Sequence, residues 1–93
     1  MPDGTKLPGQ LTILIADDDA TFRLFLRRVL SHFKVRILEA ANGTEALRHI
    51  AQEPPDLVVC DLDMPKPDGL MLARSLRANP DLKEMPLVCV SGT

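Results

Sequence analysis

Four short apolar runs alternate along the chain with three stretches whose apolar positions recur every three or four residues. Leu11-Thr12-Ile13-Leu14-Ile15-Ala16 is almost unbroken, the mark of a strand buried on both faces of a sheet. The period then changes: Phe22, Leu26, Val29, Leu30 and Phe33 form a helical stripe, with Arg23, Arg27 and Arg28 off it. Asp19 is the expected N-cap of this helix. A second strand is predicted over Val35–Ala40, followed by an Asn42-Gly43 turn. The next helix is expected to be capped by Thr44, buried through Leu47, Ile50 and Ala51, and ended by Pro54-Pro55. Leu57-Val58-Val59-Cys60 is the third strand. A loop with Pro65 and Pro67 leads to a third helix with Leu72, Ala73 and Leu76 on one face. Leu87-Val88-Cys89-Val90 is the fourth strand, and Ser91-Gly92-Thr93 follows it. Residues 1–10 hold two prolines and two glycines without periodicity and predict a flexible leader to a domain spanning 11–93.

Strands that alternate with amphipathic helices imply an α/β fold: a doubly wound parallel sheet, right-handed crossovers, and helices on both faces. In such sheets ligands bind beyond the carboxyl ends of the strands, where the strand order reverses. Asp17, Asp18, Asp61 and Ser91 all fall at predicted carboxyl ends.

Composition narrows the field. The 93 residues are 45% hydrophobic and 26% charged, with a net charge of −2. That is one small globular domain, with no electrostatic case for direct nucleic-acid binding or an anionic membrane. No run approaches the roughly 20 apolar residues of a membrane span. Cys60 and Cys89 lie in strand-like runs, which suits buried free thiols in a reducing compartment, and a cytoplasmic location is expected.

A strand that ends in a carboxylate it cannot cheaply bury needs a reason. Asp17, Asp18 and Asp61 converging on one rim would repel one another without a cation. An all-oxygen donor set favours Mg²⁺ over softer metals, with Ca²⁺ and Mn²⁺ as the hard-cation alternatives. Beside such an ion Asp61 can act as a nucleophile toward phosphorus and form an acyl phosphate. Ser91 can donate its hydroxyl to a phosphoryl oxygen, with Gly92 leaving access open. Asp63 is expected to act through its backbone carbonyl. Asp19 is expected to be a cap, Asp68-Gly69 a helix start, Cys60 and Cys89 core filler, and His32, His49, Lys66 and Lys83 surface or boundary residues.

With these residues assembled, the chain resembles the receiver domain of two-component response regulators from about Leu11 to Thr93. Ile13-Leu-Ile-Ala-Asp-Asp-Asp19 matches the first strand and its acidic pair. Asp56-Leu-Val-Val-Cys-Asp-Leu-Asp-Met-Pro65 matches the phosphoacceptor strand and loop. Asp68-Gly69 matches the turn before the third helix, and Pro86-Leu-Val-Cys-Val-Ser-Gly92 the fourth strand and switch hydroxyl. The resemblance implies a flavodoxin-like (CheY-like) fold, with Asp61 as phosphoacceptor and Ser91 as the switch hydroxyl. Asp18, Asp61 and the Asp63 carbonyl would hold Mg²⁺ directly, and Asp17 through water. A histidine kinase or phosphotransfer protein would be the donor.

A full receiver continues with a helix, a strand bearing a lysine that pairs with the phosphoryl group, and a helix. The sequence stops before them, so the fourth strand is expected to be an exposed edge that favours self-association. Two other readings compete: a truncated receiver that binds metal or partners without productive phosphorylation, and a haloacid-dehalogenase-type phosphatase, suggested by Asp61-Leu62-Asp63 after an apolar strand.

Overall fold

A computed structural model of the chain describes residues 9–64 and 68–90. Its elements run β1 (Leu11–Ala16), α1 (Ala20–Leu30), β2 (Val35–Ala40), α2 (Gly43–Gln52), β3 (Leu57–Asp61), α3 (Gly69–Ala78) and β4 (Leu87–Val90). The four strands form one parallel sheet in the order β2-β1-β3-β4. This is the expected alternation, with every strand within one residue of its predicted bounds. Residues 1–8 of the expected leader lie outside the described residues.

The register follows from which side chains must be hidden. Leu14 pairs with Leu38 and with Val58, and Cys60 pairs with Ala16 on one side and Cys89 on the other. Side chains alternate across a sheet, so Leu14, Ala16, Ala40, Val58 and Cys60 share a face. Ala46 and Ile50 of α2 and Leu72 and Leu76 of α3 close over that face, with Met64 and Met85 at its margins. Leu14, Ala46, Val58 and Leu72 are wholly inaccessible to solvent. Burying a leucine such as Leu72 contributes about 2 kcal/mol.

The two covering helices begin where short polar side chains satisfy their first amides. Asp68 accepts from the Met71 amide at 3.0 Å to start α3. For α2 the cap is Asn42, two residues before the expected Thr44. Asn42 accepts from the Glu45 amide at 2.9 Å, while the Glu45 carboxylate reaches back to the Ala41 amide at 2.9 Å. Asn-Gly-Thr-Glu is thus a capping-box pattern, with the cap and the acid three residues apart. The buried stripe is also shifted from the expected Leu47, Ile50 and Ala51: Ala46 and Ile50 face the core, Leu47 is half-buried and Ala51 is exposed.

The opposite face is different. Ile13 and Ile15 point there and are buried. α1 covers them, but no residue of α1 is itself buried. The expected stripe is amphipathic in pattern, yet Val29 and Phe33 are exposed, as are Leu24 and Phe25 off it. At the sheet edge, Val88 and Cys89 of β4 are exposed too, so Cys89 is not the core filler that its strand context suggested. A strand edge with one neighbour leaves its side chains half-covered whatever their hydrophobicity.

Candidate functional site

β1 and β3 are adjacent in space but not in sequence, because the chain crosses to β2 before returning past β1 to β3. Their carboxyl ends therefore frame the crevice where the strand order reverses. Asp17 follows β1 directly. Its amide continues the β1–β2 ladder by donating to the Ala40 carbonyl at 3.0 Å, and the residue is only 6% exposed. One Asp17 carboxylate oxygen accepts from the Asp19 amide at 2.8 Å, and Asp19 in turn accepts from Thr21 at 2.9 Å. Asp19 is therefore the helix cap, as expected.

Asp61 is the last residue of β3 and is half-buried. The next amide, of Leu62, donates to the Val90 carbonyl at 3.0 Å, so β4 holds the loop that leaves Asp61. Asp61 Oδ1 accepts from the Asp63 amide at 2.9 Å. Both carboxylates are thus aimed by a backbone amide two residues further on, a turn that short acidic side chains favour. Asp18 completes the group from an exposed position. One carboxylate oxygen from each of Asp17, Asp18 and Asp61 lies within 4.8 Å of the others.

Such a cluster is electrostatically uncomfortable. The Asp17 carboxyl is pushed above its usual value, first by burial and then by the charges of Asp61, Asp18 and Asp19; the Asp19 amide offsets part of this. The donor set is all carboxylate, which fits a hard divalent cation. The three oxygens are close enough to share one.

Two features of the site were not legible as functional from sequence. Gly69, read only as a helix start, sits tightly against the Asp61 strand end. A Cβ there would lie 2.9 Å from the Asp61 carbonyl oxygen and 3.2 Å from Cys60 Sγ. A glycine in a helix's first turn costs helix propensity, and that cost was the available signal. Arg23 is the other. Its guanidinium donates to the Asp17 carbonyl at 2.5 Å and to Glu39 at 3.1 Å, and Arg27 pairs with the same Glu39 at 2.7 Å. Burial raises the Glu39 pKa, but hydrogen bonds and charge from Arg27 and Arg23 outweigh it, leaving a net lowering. In the sequence these arginines read only as the polar face of a helix.

Below Asp61, Cys60 Sγ lies 3.4 Å from Cys89 Sγ. Burial, then the contact with Cys89 and the nearby Asp61 charge, push the Cys60 thiol up to about 12. Ser91 and Gly92, expected to complete the rim, lie outside the described residues, as does the loop from Pro65 to Pro67.

Residues 13–93 match the family model described as the response regulator receiver domain. The chain belongs to that family. Among curated relatives, the receiver is 44% identical over 71 residues to sensor protein EvgS of Escherichia coli (strain K12), covering 76% of this chain and 6% of EvgS. It is 42% identical over 80 residues to response regulator MprA of Mycolicibacterium vanbaalenii, covering 86% of this chain and 34% of MprA. Among solved structures, the signal receiver domain of a signal transduction histidine kinase from Syntrophus aciditrophicus superposes with a TM-score of 0.82 at 34% identity. That match covers 86% of this chain and 61% of the other. The Mn²⁺-bound form of response regulator Rcp1 superposes with a TM-score of 0.82 at 25% identity, covering 89% and 66%. The chain therefore spans a minor part of these curated relatives and under two thirds of these solved chains.

The receiver is a signalling module of two-component systems rather than a classical enzyme, which leaves no place for the phosphatase reading. None of its described helices is long and apolar enough to cross a membrane.

Proposed function

We propose that this receiver accepts a phosphoryl group on Asp61 from a phosphohistidine donor. The carrying observation is the convergence of Asp17, Asp18 and Asp61 within 4.8 Å at the β1/β3 crevice. A carboxylate oxygen of Asp61 attacks phosphorus, the phosphorus–nitrogen bond of the donor breaks, and its electron pair returns to the imidazole. The product is an acyl phosphate. Asp18, Asp61 and the Asp63 carbonyl would hold Mg²⁺ directly, and Asp17 through water. Bound there, the ion supplies charge neutralisation for the carboxylates and the incoming phosphoryl group. The Mn²⁺-bound form of the related Rcp1 supports a hard divalent ion.

Ser91 would donate its hydroxyl to a phosphoryl oxygen. Support comes from Val90, directly before it, which pairs in register with Asp61. The Asp63 amide orients Asp61, and the Arg23 contact with the Asp17 carbonyl fixes the acidic loop opposite. In this way the domain assists its own phosphorylation and dephosphorylation. A histidine kinase or phosphotransfer protein is the donor this reading requires. Support comes from relatives that are a sensor protein and the receiver of a histidine kinase. The site is cytoplasmic in this reading, and the domain does not itself bind nucleic acid.

A second reading, a module that binds metal or partners and self-associates without productive phosphorylation, draws on one observation: among the described residues β4 is the outer strand of the sheet, with Val88 and Cys89 exposed. Incubation with Mg²⁺ and acetyl phosphate separates the two. A base-labile adduct of about 80 Da, one phosphoryl group, that is absent from Asp61→Asn supports the phosphoacceptor. Retained Mg²⁺ binding without an adduct, with dimers in sedimentation, supports the inert module.

A further inference from the structure

Cys60 and Cys89 face each other across the β3–β4 pair, in register and on the same side of the sheet. Their sulfurs are 3.4 Å apart. Neighbouring parallel strands run about 4.8 Å apart, within the Cα separations of about 4.4–6.8 Å that a disulfide spans. Closing the gap to a bond of about 2.05 Å requires side-chain rotation and no change of strand pairing. The two thiols differ in access. Cys60 is 1% exposed, and Cys89 is open to solvent.

We propose that Cys60 and Cys89 are a redox modification site, closed to an intrachain disulfide by hydroperoxides and reopened by dithiols. This does not depend on the phosphoacceptor reading. Cys89, the accessible sulfur, attacks one oxygen of the hydroperoxide. The O–O bond breaks, water (or an alcohol) leaves, and Cys89 becomes a sulfenic acid. The Cys60 sulfur then attacks the Cys89 sulfur, the S–O bond breaks and a second water leaves with the Cys60 proton. The two thiols give up two electrons, and the peroxide takes them. A buried thiol attacks slowly, but here the contact is preformed and the reaction intramolecular, which raises its effective concentration.

The position of the bond gives it consequences. Among the described residues β4 pairs with β3, and the crosslink would fasten the two strands at the residue pair just before Asp61 and Val90. Cys60 Sγ also lies under the first turn of α3, 3.2 Å from where a Gly69 Cβ would stand. Drawing the sulfur toward Cys89 therefore alters packing beneath the Asp61 loop.

The test uses the whole chain, reduced, freed of reductant, and treated with a small excess of hydrogen peroxide. It is then alkylated with N-ethylmaleimide under denaturing conditions and weighed. The expected product is a monomer lighter by about 2 Da that takes up no maleimide and returns to two alkylatable thiols with dithiothreitol. Its melting temperature should rise by several degrees, as expected for closing a loop of this size. Cys89→Ser, at an exposed position, should show neither change. Cys60→Ala should stop at adducts of about 16 or 32 Da on Cys89. The same treatment in urea should close the bond at least about tenfold more slowly, because the contact is lost. Wild-type protein that ends as those oxygen adducts with an alkylatable Cys60, or as interchain dimers through Cys89, overturns the proposal. So does equal closure in urea.

Discussion

The two faces of the sheet are built from equally apolar residues and end in different states. Under α2 and α3, Leu14, Val58, Ile50, Leu72 and Leu76 are sealed to 2% exposure or less. On the other face α1 shields Ile13 and Ile15 but buries none of its own residues. Phe25 there remains 59% exposed, its ring 6.4 Å from that of Phe22. What differs is company. α2 and α3 pack side by side and cover each other's flanks, whereas α1 has no comparable neighbour among the described residues. A hydrophobic stripe shows which way a helix faces, and a second helix decides whether the stripe becomes core.

The contrast should appear first in stability. Leu72→Ala, on the sealed face, should cost about 3 kcal/mol through lost burial and a residual cavity. Phe25→Ala should cost under about 0.5 kcal/mol, as changes at exposed positions generally do. Urea unfolding of the two variants measures both, and equal losses would erase the distinction between the faces. Gly69→Ala comes next. It sits on the sealed side against the Asp61 carbonyl, and its added carbon must displace backbone. A loss of about 2 kcal/mol is expected from overpacking. Adduct yield with acetyl phosphate should also fall, since the displaced atoms carry Asp61.

A second small effect belongs to the ion pairs of the open face. Glu39→Gln removes the pairing with Arg23 and Arg27 and should cost about 0.5–1 kcal/mol. The Glu39 pKa is lowered in the folded chain from an unfolded value of about 4.5. Its contribution is therefore complete above that value and is lost as pH falls through the folded pKa. Wild type and Glu39→Gln should converge in stability as pH drops below about 4.5. A gap that widens there would reverse the sign.

The same contrast explains what sequence could and could not reveal. The runs of β1 and β3 were legible because a strand buried on both faces leaves few polar positions. Asp17, Asp18 and Asp61 were legible because a charge at a strand end has no packing reason to be there. The Asn42 cap was misplaced because Thr44 is also a good cap, and the paired bonds from the Glu45 amide to Asn42 and from the Ala41 amide to the Glu45 carboxylate decide between them. Gly69, Arg23 and the Cys60–Cys89 contact were hidden for another reason. Each gains its meaning from a residue distant in sequence, and proximity across the fold has no local signature.

The central claim is that Asp61, among the clustered acids, is the nucleophile. After Mg²⁺ and acetyl phosphate, borohydride reduction would convert the phosphorylated carboxyl to an alcohol, which peptide mass mapping can locate. The account predicts modification at Asp61 alone, dependent on Mg²⁺. Label at Asp17, Asp18 or Asp63, or none under conditions where the ion binds, would contradict it.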